Sequence, residues 1–118
     1  MYYLNLSLEI IELPKEPSER SHNFKLNGRE IGYAQTWTVG ETQTIYSFEI
    51  DVEELQNYGF GTYYYKMFEF EWRKSGIKKI LVEDIDLNDR AIHFWKKMGF
   101  NDTDKTVNGE HPIFMKKL

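Results

Sequence analysis

The chain reads as an α/β (α+β) domain with a mixed, mostly antiparallel central sheet and a β-α-β-α core. Three observations predict this class. In the first half, runs of alternating apolar and polar residues are separated by reversals at Asn27-Gly28 and Gly40, the pattern of an antiparallel meander. In the second half, two stretches with helical apolar spacing flank a continuous apolar run, Ile80-Leu81-Val82, of the kind buried in a parallel sheet. Between the halves lies Gln56-Asn57-Tyr58-Gly59-Phe60-Gly61, a glycine turn leading from strand to helix.

The elements follow in order. Leu4, Leu6, Leu8 and Ile10 alternate with polar residues and predict a half-buried strand. Residues 14–23 hold two prolines and four charged side chains without apolar periodicity, which predicts an exposed connection. Asn27-Gly28 has the chemistry of a type I′ turn between Phe24-Lys25-Leu26 and a longer strand over residues 30–39. After Gly40, residues 44–52 form the next strand, with Tyr46, Phe48, Ile50 and Val52 on one face and Glu49 and Asp51 on the other. A helix is predicted over residues 61–75, carrying Phe60, Tyr64, Met67, Phe68 and Trp72 on one broad side, widened by Tyr63 and Phe70. Ser75-Gly76 stops it, and residues 77–85 supply a buried strand, completing a parallel crossover unit. Asn88 is placed to cap a second helix, in which Ala91, Phe94, Trp95 and Met98 share a face and Gly99 is the stop. Asn108-Gly109 predicts a last hairpin whose second strand is residues 112–118.

At 118 residues, 41% hydrophobic and 16% aromatic, the chain suits one domain, 1–118, with a sizeable core. The absence of cysteine excludes a disulfide framework, thiolate metal ligation and a cysteine nucleophile. His22, His93 and His111 lack metal-ligand spacing and read as surface residues, and no serine sits in a nucleophile elbow, so neither a metal site nor hydrolase chemistry is expected. A net charge of −4 with scattered lysines argues against nucleic acid as a partner. No apolar run reaches membrane-spanning length and the N-terminus lacks signal-peptide character, so a cytoplasmic protein without a membrane partner is expected. Tyr63-Tyr64-Tyr65 is read as packing a helix on a sheet rather than stacking bases.

A glycine turn that opens a helix can hold a phosphate, because unpaired N–H groups and the helix dipole both face the anion. Gln56-x-x-Gly59-x-Gly61 resembles the Gln/Arg-x-x-Gly-x-Gly/Ala turn of the GNAT N-acetyltransferase superfamily. Asn88-x-x-Ala91-x-x-x-Trp95-x-Lys97-x-Gly99-Phe100 resembles that superfamily's second motif, and the resemblance covers roughly residues 29–118. It implies a GNAT-like acyl-CoA N-acyltransferase fold, in which the fourth and fifth strands splay apart around acetyl-coenzyme A. Backbone groups of Gln56, Asn57, Tyr58, Gly59, Phe60, Gly61 and Thr62 would then hold the pyrophosphate. The strand around Ile50 and Val52 would pair with the pantetheine arm, and Asn88 would face the cofactor's far end.

The chain departs from that pattern in three places. Trp95 stands where the family commonly has a tyrosine that protonates the departing thiolate, and its spacing after Ala91 also makes it a core residue. Residues 14–23 are too few for the two helices that usually wall the acceptor site, which leaves that site open or walled by a second subunit. Val52 also stands one residue closer to Gln56 than usual. Glu49 is the candidate general base, with Asp51 beside it, set against a plain solvated strand face; Glu83, Asp84 and Asp86 read as a polar loop. The expected function is transfer of an acetyl group from acetyl-coenzyme A to a primary amine, on a small molecule or a peptide, by direct attack. A non-catalytic module that binds coenzyme A or a protein partner is the alternative, and a plain dimerisation domain would instead fill its cleft with Phe60 or Trp95. A homodimer is compatible with so short a version of the fold.

Overall fold

The computed structural model of the chain describes residues 7–14 and 19–118. Leu4, Leu6 and the start of the predicted first strand lie outside them. Among the described residues, the strands β1 (Leu8–Pro14), β2 (Glu19–Leu26), β3 (Arg29–Val39), β4 (Thr42–Ile50), β5 (Lys79–Val82), β6 (Asn101–Val107) and β7 (His111–Lys117) form one sheet. Its order is β1-β2-β3-β4-β5-β7-β6, with β4 and β5 parallel and every other neighbouring pair antiparallel. The helices are α1 (Phe60–Lys74) and α2 (Asp89–Lys97), and a short 3-10 turn, Glu53–Leu55, precedes α1. The mixed sheet and the order of strands and helices are as predicted.

The turn residues behave as their chemistry demands. Asn27 and Gly28, and Asn108 and Gly109, all take positive φ, the requirement of the tight hairpin turns read from the sequence.

Both helices cover one face of the sheet. Tyr65 of α1 packs with Ile45, Ile80, Val82, Phe114, Trp95 of α2 and Met98, which caps that helix. Tyr64 and Phe68, also on α1, pack with Phe24, Ile31, Ala34 and Ile50. Phe48 and Trp72 touch both groups, so the groups form one apolar layer. Burying each of these large side chains contributes roughly 1.5–3 kcal/mol. The sheet's other face keeps Tyr33, Trp37 and Glu49 exposed. A charged network fastens α1 to β7: the Lys116 ammonium donates to Glu69 at 2.6 Å and to the Met98 carbonyl at 2.8 Å, and the Tyr65 hydroxyl donates to Glu69 at 2.7 Å. Burial pushes the Glu69 carboxyl up, but hydrogen bonds from Lys116, Tyr65 and Arg73 outweigh it and hold the group below its ordinary range.

The described part of residues 14–23 is not the exposed connection that the sequence predicts, and residues 15–18 lie outside the described residues. Glu19 to Asn23 belong to β2, and His22 is buried rather than on the surface. The inward positions of this strand are His22 and Phe24, one of them polar, so the apolar alternation is lost although ladders on both sides hold the strand. The His22 ring lies 3.0 Å from the Thr36 hydroxyl and packs edge-on against Phe68, while its Nδ1 has no hydrogen-bond partner. Burial pushes its pKa down from 6.5 to about 4, against the pull of Glu12. The folded protein therefore prefers the neutral ring, and the unfolded chain binds the extra proton. Stability is complete above about pH 6.5 and is lost as the pH falls towards about 4, at about 1.4 kcal/mol per pH unit. Urea midpoints measured across this window should show that slope, and the His22→Gln variant should not.

Tyr46 is a second correction. The β3–β4 register shifts between Gln35 and Thr36, leaving Tyr46 as an extra residue on β4. Ile45 therefore takes the core position, and Tyr46 lies on the bare face against Trp37, with ring centroids 6.2 Å apart. Phe48 and Ile50 remain on the core side as predicted. The partner strand sets this register, so the alternation within residues 44–52 could not reveal it.

β3 and β4 also approach very closely at Gly32. A Cβ added there would run into the Glu49 carbonyl oxygen and meet the Ile50 Cα at 3.1 Å. Gly32→Ala is expected to force the strands apart and to destabilise the protein by about 2–3 kcal/mol, read as a lowered denaturant midpoint.

Candidate functional site

β4 and β5 pair only from Thr42↔Lys79 to Ile45↔Val82. Beyond that point the bulge at Tyr46 bends β4, β5 ends, and the Glu83 N–H makes the last link, to the Ile45 carbonyl at 2.9 Å. A cavity of about 430 Å³ opens there. The Asp51 N–H points to β3, donating to the Ile31 carbonyl at 2.9 Å, so alternation turns the backbone groups of Phe48 and Ile50 towards the gap. The Ile50 carbonyl accepts from the Gln56 side-chain amide at 2.8 Å, while among the described residues no strand pairs with Phe48 on that side.

The glycine turn forms the next wall. Val52 leads into the 3-10 turn, Gln56 closes it by donating its N–H to the Glu53 carbonyl, and Asn57 takes φ 68°. Gly59, at φ 86°, is the N-cap of α1 and offers no side-chain cap. The first backbone bond of the helix is from the Tyr63 N–H to the Gly59 carbonyl, so the N–H groups of Phe60, Gly61 and Thr62 have no acceptor among the described residues. A Cβ on Gly61 would make only ordinary contacts, 3.5 Å to Phe94 and 3.8 Å to Phe48.

α2 closes the cavity from the other side. The Asn88 carboxamide oxygen accepts from the Ala91 N–H at 2.9 Å, which caps the helix as expected. Phe94 stacks on Phe48 with centroids 5.6 Å apart, and Trp95, 2% exposed, packs edge-on against Phe48, Tyr65 and Phe100. The Arg90 guanidinium donates to the Gln56 side-chain oxygen at 2.5 Å, so Gln56 bridges the end of β4 to the start of α2.

Carboxylates gather where β4 and β5 part. The Tyr33 hydroxyl donates to Glu49 at 2.9 Å, and that bond, together with partial burial, pushes the phenol pKa up. Burial raises the Asp84 carboxyl, the Asp86 N–H pulls it back at 2.8 Å, and the charges of Asp86 and Glu49 add to the rise. Three carboxyl groups gathered at one opening suit the reception of a cation.

The profile of the acetyltransferase (GNAT) family matches residues 3–100. The chain belongs to that family. No curated protein matches it in sequence. Among solved structures, it resembles the PaiA N-acetyltransferase of Thermoplasma acidophilum in complex with coenzyme A at 18% identity and a TM-score of 0.76, over 86% of this chain and 62% of that one. It resembles the ribosomal-protein-S18-alanine N-acetyltransferase of Escherichia coli at 21% identity and TM-score 0.69, over 88% and 70% of the two chains. The IAA acetyltransferase of Bacillus cereus is covered in full at 14% identity and TM-score 0.75, over 95% of this chain. At these identities the likeness is one of fold, and the chain spans less than two thirds of the Thermoplasma protein.

Within this GNAT domain, Glu49, Ile50, Gln56, Asn57, Gly59, Gly61, Thr62 and Asn88 all line the cavity. Val52, Tyr58 and Phe60 do not: Val52 and Phe60 pack against the core, and Tyr58 is 75% exposed. Sequence reading passed over Phe48 as a lining residue, because the splay of the strands, not the strand pattern, exposes its backbone. It also passed over Arg90, read His93 as a plain surface residue and quoted Lys97 in the second motif without a role; all three line the cavity, and their spacing along one side of α2 was a further signal.

Proposed function

We propose that the protein is an N-acetyltransferase that moves an acetyl group from acetyl-coenzyme A to a primary amine by direct attack. The observation that carries this reading is the open cavity between β4 and β5, which runs from an unpaired strand edge at Phe48 to the free N–H groups of α1. Those N–H groups, with no Cβ on Gly61 to obstruct approach, fit a pyrophosphate, and the backbone of Phe48 and Ile50 fits an amide-bearing arm laid along it. A plain dimerisation domain would leave no such opening.

In the reaction, the amine nitrogen bonds to the thioester carbon and the carbon–sulfur bond breaks, releasing the thiolate. The residues at hand divide the remaining work. Glu49 lies on the cavity wall, where it can take a proton from an ammonium acceptor directly or through water, and Tyr33 holds its carboxylate in place. Trp95 packs in the core, and an indole N–H is no acid at neutral pH, so Trp95 does not protonate the departing thiolate. Asp84 and Asp86 add negative charge that favours a cationic amine, on a small molecule or a peptide.

Calorimetric titration with acetyl-coenzyme A tests the reading, followed by thiol release in the presence of a panel of amines. Saturable binding with amine-dependent release is expected. Binding without release by any amine would leave a coenzyme A module, and no binding by folded protein would remove the reading altogether.

A further inference from the structure

We infer that the protein pairs with a second copy of itself through the bare face of its sheet, face to face about a two-fold axis that crosses the strands at Leu81. Both helices lie on one side of the sheet, and Ile80, Val82 and Phe114 face them in the core. Alternation therefore turns Leu81 of β5 and Ile113 and Met115 of β7 to the opposite side. Trp37, 40% exposed, and Val39, 67% exposed, lie there on β3, with Tyr46 against Trp37. Water solvates such a face where its outward positions are polar, as Ser21 and Asn23 are on β2. From β3 to β7 they are instead a band of large apolar side chains, and no element among the described residues covers it. A band of this kind marks an interaction surface.

The charges on this face select the partner. At the start of β5, Lys79 stands directly opposite Lys117 of β7, a like-charge pair that is unfavourable unless a carboxylate answers it. Among the described residues neither lysine has one within ion-pair distance. At the other end, the Glu83 N–H bonds to the Ile45 carbonyl and carries the alternation one residue past β5, so Glu83 also faces outward. Burial raises the Tyr46 phenol, and the charge of Glu83 adds to the rise, which sets Glu83 beside the aromatic part of the band.

Lys79 and Glu83 lie two residues either side of Leu81, about 13 Å apart along the strand, too far to pair within one chain. Trp37, Thr44, Leu81 and Met115 form one row across the sheet. A two-fold axis along this row turns the face over onto itself with the strands reversed. Trp37, Leu81 and Met115 then meet their own counterparts, and Lys79 of each copy stands over Glu83 of the other. A face that matches itself in both apolar row and charge fits an isologous contact. Seven strands about 4.8 Å apart and about seven residues long cover roughly 750 Å², close to the ~800 Å² per partner of a stable interface. The pairing stands apart from the coenzyme A reading. On that reading it has one consequence, that the second copy walls the acceptor side of the cavity, where Tyr33 and Glu49 are exposed.

Sedimentation of the full chain over a concentration series tests the pairing, and a mass twice the chain's 14.2 kDa is expected. Lys79→Glu and Glu83→Lys should each weaken the dimer by about tenfold or more, because each turns two symmetry-related attractions into repulsions. The double variant Lys79→Glu/Glu83→Lys should restore it, and Lys66→Glu, exposed on α1, should leave it unaltered. Circular dichroism checks that each variant folds. The chain has no cysteine, so a Leu81→Cys variant carries a single thiol on the proposed axis, which a short bis-maleimide should capture as a covalent dimer. The same substitution at Phe70, exposed on α1, should give none. A wild type that stays monomeric at every concentration would overturn the pairing. A dimer indifferent to both single reversals, or not restored by the double variant, would use another surface and overturn it equally.

Discussion

The Gly61→Val variant is expected to fold as the wild type does and to lose coenzyme A binding by at least about a hundredfold. The two halves of this expectation come from separate observations. Gly61 is the second residue of α1, it is absent from the positive-φ glycines, and a Cβ there meets Phe94 and Phe48 only at van der Waals distance. Nothing in the protein's own conformation or packing therefore requires glycine, and replacing it with alanine would favour the helix by roughly 0.5–1 kcal/mol. The side chain of a valine, however, projects from a cavity-lining residue set between Phe60 and Thr62, whose N–H groups are free with its own, and would crowd a phosphate brought to them. Losing even two charge-assisted hydrogen bonds there costs about 3 kcal/mol or more, which is a hundredfold in Kd. Gly59 would give a less decisive answer, since its φ of 86° makes any substitution there strain the turn as well. Thermal unfolding together with a coenzyme A titration separates fold from binding. Unaltered affinity in a folded Gly61→Val protein would move the phosphate away from the turn.

Much of the fold was legible because its punctuation is chemical. Asn27-Gly28 and Asn108-Gly109 occupy positions that need positive φ, Asn88 caps α2 through its own side chain, and Gly99, at φ 98°, ends that helix. Such signals are local, so they survive in a single sequence. What was missed depends on a neighbour. The first part of β2, Glu19 to Asn23, was hidden because its inward side carries His22, a polar ring made tolerable by Thr36 on the next strand. The shift at Tyr46 is a property of the β3–β4 pair, and the demand for glycine at position 32 comes from the Glu49 carbonyl across that pair. The site divides in the same way. Its glycine turn could be read directly, since a free helix start is written in the residues that begin it. The tie between Gln56 and Arg90, 34 positions apart, and the exposure of Phe48 at a strand edge arise only once the sheet has splayed.

Glu49→Gln is expected to lower turnover by about 10²- to 10⁴-fold while leaving acetyl-coenzyme A affinity unchanged, the range that removal of a general base spans. The substitution keeps the size of the side chain and its acceptor for the Tyr33 hydroxyl, so the geometry at 2.9 Å is preserved and only proton uptake is lost. Tyr33→Phe provides the contrast. It frees the carboxylate without removing it, and its loss should be smaller, about the tenfold that one hydrogen bond is worth. If Glu49 served only as negative charge to attract the amine, the loss in Glu49→Gln would appear in the KM for the acceptor and kcat would survive. Asp84, already inclined to keep its proton by burial and by the charge of its neighbours, would then be the group to test next, because removing Glu49 also removes one of the charges that raise it.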